Sequence, residues 1–168
     1  MQGKINFFLA GVLLLTTLTV ASCTFEMIKP PPPQQVVLKS FHSRYVTALG
    51  KNDNWTLKQE TESSDCARFT MRHLANGKIT LETCQRKYVV APQNGATREN
   101  WMLGQEDKLS DCGQFDLYEL GNNRVAFKTC AGRFITAGDG AWPGELAWAV
   151  VGETDILDAW EIFTALPQ

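Results

Sequence analysis

Three internal repeats constrain the fold of this chain more than any other feature of the sequence. Four landmarks recur in order: an apolar opening segment, an aromatic-containing segment that ends in Ala, a Trp, and a segment that begins with Asp. They lie at 37–41, 44–48, 55 and 65–69, at 80–84, 87–91, 101 and 111–115, and at 126–130, 133–137, 148 and 158–162. The tryptophans are 46 and 47 residues apart. Such a regular period indicates a fold built from one repeated unit.

The pattern within each repeat is that of β-strands. Apolar residues alternate or form runs of four or five that are rich in β-branched and aromatic side chains, with Gly or Asn between them. No stretch keeps a helical apolar stripe for three turns. Four strands in each of three repeats predict twelve short strands. A pseudo-threefold set of four-stranded units is an all-β β-trefoil, a closed barrel capped by hairpins, whose closure removes exposed strand edges.

The amino-acid sequence of the repeats resembles that of fascin-like trefoils over roughly residues 36–165. Residues 38–48 are similar to the unit "L-x-S-x-x-G-K-Y-V-x-A", and residues 133–137 repeat its last part. The glycine of this unit is present in repeat three as Gly132 but is replaced by Ser43 and Arg86 in the other two repeats. The Gln-x-Trp signature of ricin-type trefoil lectins is missing from all three repeats. The resemblance implies a recognition domain. It also implies actin contact, which an envelope protein would make only inside a host.

The N-terminus is typical of an export signal. Lys4 precedes an almost uncharged run from 5 to 20, and Val20-Ala21-Ser22-Cys23 resembles the bacterial lipobox. This resemblance implies a lipoprotein signal peptide at 1–22 and attachment of lipid, with acyl chains such as palmitate, to Cys23. Thr24 is not the aspartate that retains such proteins at the inner membrane, so we expect the outer membrane of a bacterial cell envelope.

A tether follows the lipidated cysteine. The segment 23–35 contains four consecutive prolines at 30–33, which favour polyproline II and a semi-rigid spacer. We therefore expect the trefoil domain to span 36–168 and to be held a short distance from the membrane.

Four cysteines remain in the repeats once Cys23 is assigned to the lipid, and four cysteines allow three pairings. Cys66 and Cys84 are 18 residues apart, as are Cys112 and Cys130, and each pair links one repeat to the first strand of the next. The equal spacing predicts disulfides Cys66–Cys84 and Cys112–Cys130, which an oxidising envelope permits. Zinc is the alternative, but no Cys-x-x-Cys is present, so we predict no metal.

The third junction, between the end of repeat three and the start of repeat one, lacks both cysteines. The alignment places Ala159 and Phe41 at its two cysteine-equivalent positions, beside Trp160. Since both cysteines are absent together, the pairing scheme holds. We expect aromatic packing to replace the crosslink there.

The sequence offers little for catalysis. No Gly-x-Ser-x-Gly, His-Glu-x-x-His or phosphate-binding glycine loop is present. His42 and His73 are expected to be solvated loop residues. Asp65, Asp111 and Asp158 recur at one place in each repeat, which predicts turn capping rather than catalysis. We expect no enzyme activity and no cofactor, and turnover abolished by substituting His42 or Asp158 would support the enzyme alternative.

One loop of repeat three is a candidate binding site. Trp142 has no counterpart in the other repeats and lies in the Gly-rich segment 138–145 with Asp139 and Glu145. An exposed indole can stack on a pyranose while carboxylates accept its hydroxyl hydrogens. The alternative is that Trp142 folds back onto the barrel. The three tryptophans in register, which we expect in the core or the barrel cap, are Trp55, Trp101 and Trp148.

These features predict a non-enzymatic, membrane-tethered recognition module that binds a glycan or an envelope or host protein through its hairpin loops. Sixteen basic and eighteen acidic residues give a net charge of −2, which disfavours nucleic acid. The alternative function is a trefoil-type protease inhibitor that presents the 138–146 loop.

Overall fold

The computed structural model of the chain describes residues 30–92 and 101–168. The predicted signal peptide 1–22, Cys23 and the first part of the tether lie outside the described residues. Within the described ranges the chain forms twelve β-strands and five single-turn 3-10 segments. None of the helical segments there has the length and apolar character needed to cross a membrane.

Each repeat supplies four strands, as predicted. Repeat one contains β1 (Gln34–Lys39), β2 (Tyr45–Ala48), β3 (Leu57–Glu60) and β4 (Arg68–His73). Repeat two contains β5 (Ile79–Glu82), β6 (Tyr88–Val90), β7 (Gly104–Glu106) and β8 (Asp116–Glu119). Repeat three contains β9 (Arg124–Lys128), β10 (Phe134–Ala137), β11 (Val150–Thr154) and β12 (Phe163–Pro167).

The first and last strands of the three repeats close into a six-stranded barrel. β1 pairs with β4 and β12, β4 with β5, β8 with β9, and β9 with β12, all antiparallel. Reciprocal backbone hydrogen bonds of 2.9 Å between Ile79 and Phe115 join β5 to the start of β8. Each first strand therefore lies between the last strand of its own repeat and that of the preceding repeat. No repeat can satisfy its backbone hydrogen bonds alone.

The middle strands form three hairpins, β2–β3, β6–β7 and β10–β11. The hairpins are joined to one another by the isolated bridges Lys58–Ala149 and Met102–Val151. Barrel and hairpins together are a β-trefoil, so the predicted fold class is confirmed.

Besides a small cluster of Leu146, Ala149 and Val151, the core is one large cluster in which each position recurs in all three repeats. Its buried members are at most 7% exposed. The equivalent sets are Phe69, Phe115 and Phe163; Leu38, Leu81 and Phe127; Val46, Val89 and Ile135; and Leu57, Leu103 and Val150. Burial of apolar surface at these positions is the main contribution to stability, and it explains why the apolar landmarks of the repeats coincide.

The repeat alignment requires one correction. Single 3-10 turns occur at Asp65–Ala67, Asp111–Gly113 and Ala159–Glu161, so the residue equivalent to Cys66 and Cys112 is Trp160, not Ala159. The cause is one additional residue in β11, where Phe134 faces Thr154 but Ile135 faces Gly152. This register shift is a β-bulge.

The turn-capping prediction is correct at one of the three aspartates. The carboxylate of Asp158 accepts a hydrogen bond of 2.7 Å from the backbone N–H of Ala159 and forms a capping box with Glu161. Asp65 and Asp111 lie inside their turns, one residue after the cap. The prediction is wrong for these two, because the N-cap residues of their turns are Ser64 and Ser110, whose side chains form no capping hydrogen bond.

Candidate functional site

Two of the three junctions between repeats are covalently closed. Cys66 is bonded to Cys84 and Cys112 to Cys130, with a Cα–Cα distance of 4.9 Å in both pairs. Each disulfide ties the 3-10 turn that precedes a barrel strand to the turn that follows the first strand of the next repeat. The predicted pairing is confirmed.

The third junction is open at the corresponding place. Phe41 and Trp160 occupy the two cysteine-equivalent positions, and the Phe41 side chain is 60% exposed. Aromatic packing does occur at this junction, as expected, because the Phe41 ring meets the His42 ring edge-on at 5.7 Å; the residue equivalent to cysteine opposite Phe41 is Trp160 rather than Ala159. The exposed Phe41 forms the edge of a surface depression.

His42 contacts both sides of this junction. Its Nε2 lies 3.1 Å from the carbonyl oxygen of Ala137, and its ring meets those of Trp148 and Trp160 edge-on at 5.7 and 5.3 Å. The equivalent residue at the first junction, Gln85, donates to the carbonyl of Ala48 in the same way. His42 is thus half-buried and engaged, and its prediction as a solvated loop histidine is wrong.

The depression, which we call the junction groove, has a volume of about 440 Å³. Its aromatic lining consists of Phe41, Trp142 and Trp160, and Ile156 adds an apolar side chain that is 68% exposed. The remaining lining residues are polar or small. They are Thr136, Glu153, Thr154, Asp158, Ala159 and Glu161.

The polar side of the junction groove arises from features found in repeat three. The β11 bulge at Glu153 brings Glu153 and Thr154 to the groove. Glu161 lies at its base and is only 4% exposed. One oxygen of its carboxylate accepts from the Thr136 hydroxyl at 2.8 Å, and the other accepts from the backbone N–H of Asp158 at 2.9 Å. The equivalent residues in the other repeats are Ala67 and Gly113.

The structure does not bring the three predicted ligand-binding residues together. Trp142 lines the junction groove, 6.5 Å from Trp160 between ring centroids, and it also folds back over Gly138. A Cβ built on Gly138 would lie 2.6 Å from the indole, so glycine is required there. Asp139 accepts a hydrogen bond from the backbone N–H of Ala141 and shapes the loop. Glu145 lines a separate polar cavity of about 80 Å³.

The three tryptophans in register are half-buried and lie in the hairpins that cap the barrel, so of the two predicted places the cap is correct and the core is wrong. Each ring lies beneath a cation from the following repeat. Lys87 lies over Trp55 at 4.4 Å, Arg133 over Trp101 at 4.9 Å, and Arg44 over Trp148 at 3.7 Å. Trp55 and Trp148 have φ of 56° and 61°, and this left-handed turn directs them away from the core. They form a threefold set of cation–π contacts between repeats.

Sequence reasoning missed Phe41, Ile156 and Glu161 as groove residues. The available signals were the missing pair of cysteines and the one-residue excess in repeat three. His73 ends β4 outside the groove. Within the two described ranges, no group of three or more His, Cys, Asp or Glu side chains is arranged to hold a metal ion.

Comparison with solved structures supports the fold. The chain is similar to the designed threefold-symmetric protein ThreeFoil (13% identity, 79% of this chain and 97% of that one, TM-score 0.63). It is also similar to SeviL bound to asialo-GM1 saccharide (9%, 80% and 98%, TM-score 0.60) and to the BEL β-trefoil (10%, 84% and 99%, TM-score 0.65). No protein-family model and no curated protein sequence matched the chain. The fascin-like resemblance stays a prediction.

Proposed function

We propose that this protein is a non-enzymatic recognition module that binds a glycan in the junction groove. The observation that carries the proposal is the departure of one junction from the pattern of the other two. Two junctions are closed by disulfides at equivalent positions, whereas the third has Phe41 and Trp160 there. The bulge, the buried carboxylate and the exposed aromatic ring all occur there, which indicates a role other than folding.

The lining of the groove suits a sugar ring. Phe41 and Ile156 expose apolar surface on which the C–H face of a pyranose can stack. Asp158 and Thr154 provide oxygen atoms that can accept hydrogen bonds from its hydroxyls. The volume of about 440 Å³ falls within the range of roughly 300–1,000 Å³ that is usual for small-ligand sites. SeviL, a structural neighbour bound to a saccharide, supports the choice of glycan as the ligand class.

The topology also suits a tethered receptor. β1 runs from Gln34 towards Phe41 and is antiparallel to β12, with Val36 opposite Pro167 at the C-terminal end of β12. A strand of six residues is about 20 Å long, so the tether leaves the barrel at the end remote from the groove. We propose that the lipid on Cys23 anchors the chain to the outer membrane of a bacterial envelope. The junction groove then faces away from the membrane.

The geometry does not favour the protease-inhibitor alternative. An inhibitory loop presents an extended backbone to the protease. The loop from 138 to 146 is instead folded by a hydrogen bond from the backbone N–H of Trp148 to the carbonyl of Asp139 and by the 3-10 turn Gly144–Leu146. Trp142 is packed over Gly138 rather than displayed.

The test is a glycan array probed with the full chain in a polyoxyethylene detergent, which carries no sugar headgroup to compete. Saturable binding to one glycan class is expected, and Phe41→Ala should weaken it at least tenfold, because truncating an aromatic side chain that stacks on the ligand costs about 1.4 kcal/mol or more. Phe41 is a better probe than Trp142, since its exposed side chain contributes little to the core.

Tyr118→Ala is the matched control, because Tyr118 is an exposed aromatic residue that does not line the groove. Its substitution should leave glycan affinity unchanged. Glycan binding that is insensitive to Phe41→Ala would place the site elsewhere, and a folded chain that binds no glycan on the array would contradict the proposal.

A further inference from the structure

A buried negative charge lies at the base of the junction groove without an opposing positive charge. Glu161 is 4% exposed, and its two hydrogen-bond donors, the Thr136 hydroxyl and the Asp158 N–H, are both neutral. The described residues form four ion pairs, and none of them includes Glu161 or Asp158. Buried charges are normally paired. The capping box accounts for one hydrogen bond of Glu161, but the equivalent turns of the other repeats form with Ala67 and Gly113 at this position and need no carboxylate.

The rim of the groove has the same sign of charge. Asp158 is exposed, and among the described residues the hydrogen bonds to its carboxylate come from backbone N–H groups of its own turn, which are neutral. Among the lining residues that the structure describes, there is no Lys or Arg. Asp158 above and Glu161 below together give the groove a negative potential, which is least screened at the buried end.

The rings of Phe41 and Trp160 meet the His42 ring edge-on, at 5.7 and 5.3 Å between centroids. The tryptophans in register each lie beneath a Lys or Arg of the chain. Within the described part of the molecule, no Lys or Arg lies over Phe41 or Trp160. Aromatic faces next to carboxylates form the usual recognition site for an ammonium group.

We propose that the ligand of the junction groove is an amino sugar with a free, protonated amine, which lies between the Asp158 and Glu161 carboxylates and the rings of Phe41 and Trp160. This inference rests on the proposed glycan-binding function and names its ligand class. It predicts that acetylation of the amine, which removes the charge and the N–H donors, weakens binding.

The test compares two probes that differ only at the amine: a β-1,4-linked glucosamine tetramer and its fully N-acetylated counterpart. Isothermal titration calorimetry with the full chain in polyoxyethylene detergent, at a pH at which the amine is protonated, should give at least tenfold tighter binding of the free amine. The preference should fall as salt is added, because screening weakens charge attraction at the open rim.

Asp158→Asn removes the rim charge and keeps an oxygen that can cap the following turn. It should reduce affinity for the amine probe about tenfold and weaken binding of the acetylated probe much less, because asparagine keeps an oxygen that accepts a hydrogen bond from a sugar hydroxyl. Glu161→Gln should act in the same direction. Asp155→Asn is the matched control, because Asp155 is exposed nearby and does not line the groove, and it should change neither affinity.

The outcomes separate this inference from the function on which it rests. If the acetylated probe binds as tightly as the amine and Phe41→Ala abolishes both, the glycan site stands and the charge preference is wrong. If a sialylated or other anionic glycan binds best in the groove, the inference is likewise overturned. If no glycan binds but a lysine-rich peptide does, in a Phe41-dependent manner, both the glycan function and this inference fail.

Discussion

The turns that follow the first barrel strands place three equivalent residues in the left-handed region. Ser43, Arg86 and Gly132 have φ of 62°, 58° and 75°. This left-handed conformation explains why the repeat motif has a glycine at this position. The backbone demands positive φ at each turn, and two repeats accept the strain of an L side chain there.

Gly132→Ala should therefore destabilise the domain through the backbone alone. A Cβ at Gly132 would have no atom within 4 Å, so no steric clash contributes. The left-handed conformation costs a residue with a side chain about 1–2 kcal/mol. We expect a loss of about 1 kcal/mol in the free energy of unfolding, measured by urea denaturation.

Gly50→Ala is the matched control for this substitution. Gly50 also has no atom within 4 Å of a Cβ, but its φ is −85°, which alanine adopts without strain. Its stability should be unchanged or slightly higher, since alanine reduces the entropy of the unfolded chain. An equal loss at both glycines would contradict the explanation from backbone conformation.

Residue patterns predicted the features that recur in the repeats of the barrel. They missed the features that depend on contacts between distant residues. The Cys spacing predicted both disulfides, because symmetric positions carry the same chemistry. The half-buried places of Trp55 and Trp148 depend on left-handed turns and on cations from another repeat. No local pattern of apolar residues encodes a partner so distant in sequence.

At the level of elements, the bulge in β11 is the feature that turns a third junction into a groove. One extra residue shifts the chain after Gly152, so that Trp160 arrives where repeats one and two have cysteine. A sequence alignment without gaps placed Ala159 there instead. The error was one residue, which is enough to exchange the faces of a strand and to hide the contribution of Glu161 to the groove.

The corrected register can be tested by engineering the missing crosslink. Phe41→Cys with Trp160→Cys should form a third disulfide, because the other two pairs hold equivalent positions with a Cα–Cα distance of 4.9 Å. The chain-entropy model gives about 4.7 kcal/mol for a loop of about 100 residues, and this loop is slightly longer. Thiol titration of the unfolded, unreduced protein should find no thiols beyond the parent.

Phe41→Cys with Ala159→Cys is the comparison that the uncorrected alignment would favour. We expect this pair to remain reduced, since Ala159 begins its turn one residue before the cysteine-equivalent position. Closure of the 41–159 pair in preference to the 41–160 pair would show that the register correction is wrong.

For the whole molecule, the closed barrel fixes the relation between the chain termini and the groove. The three repeats predicted the closure of the barrel, because the first strand of each repeat must pair with the last strand of the preceding repeat. The groove could not be predicted in the same way. It depends on residues from the beginning and the end of the chain, such as Phe41 and Trp160, that meet only when repeat three closes onto repeat one.

The anchoring proposal has a direct test in a diderm bacterium fed radiolabelled palmitate. The full chain should incorporate label into the envelope fraction, and Cys23→Ala should incorporate none, because the proposal makes the Cys23 thiol the acceptor of the lipid. Ser22→Ala is the matched control and should keep the label, since a small residue is retained before the cysteine. Label that persists in Cys23→Ala would contradict attachment at this residue.

The same variant tests whether recognition and anchoring are independent. Strand β1 enters the barrel at Gln34, and the groove lies past its other end at Phe41. Cys23→Ala should therefore bind the glycan in detergent with the affinity of the parent chain, although it has lost its lipid. A change in affinity of tenfold or more would mean that the N-terminal region contributes to the groove, and the proposed outward-facing arrangement would have to be abandoned.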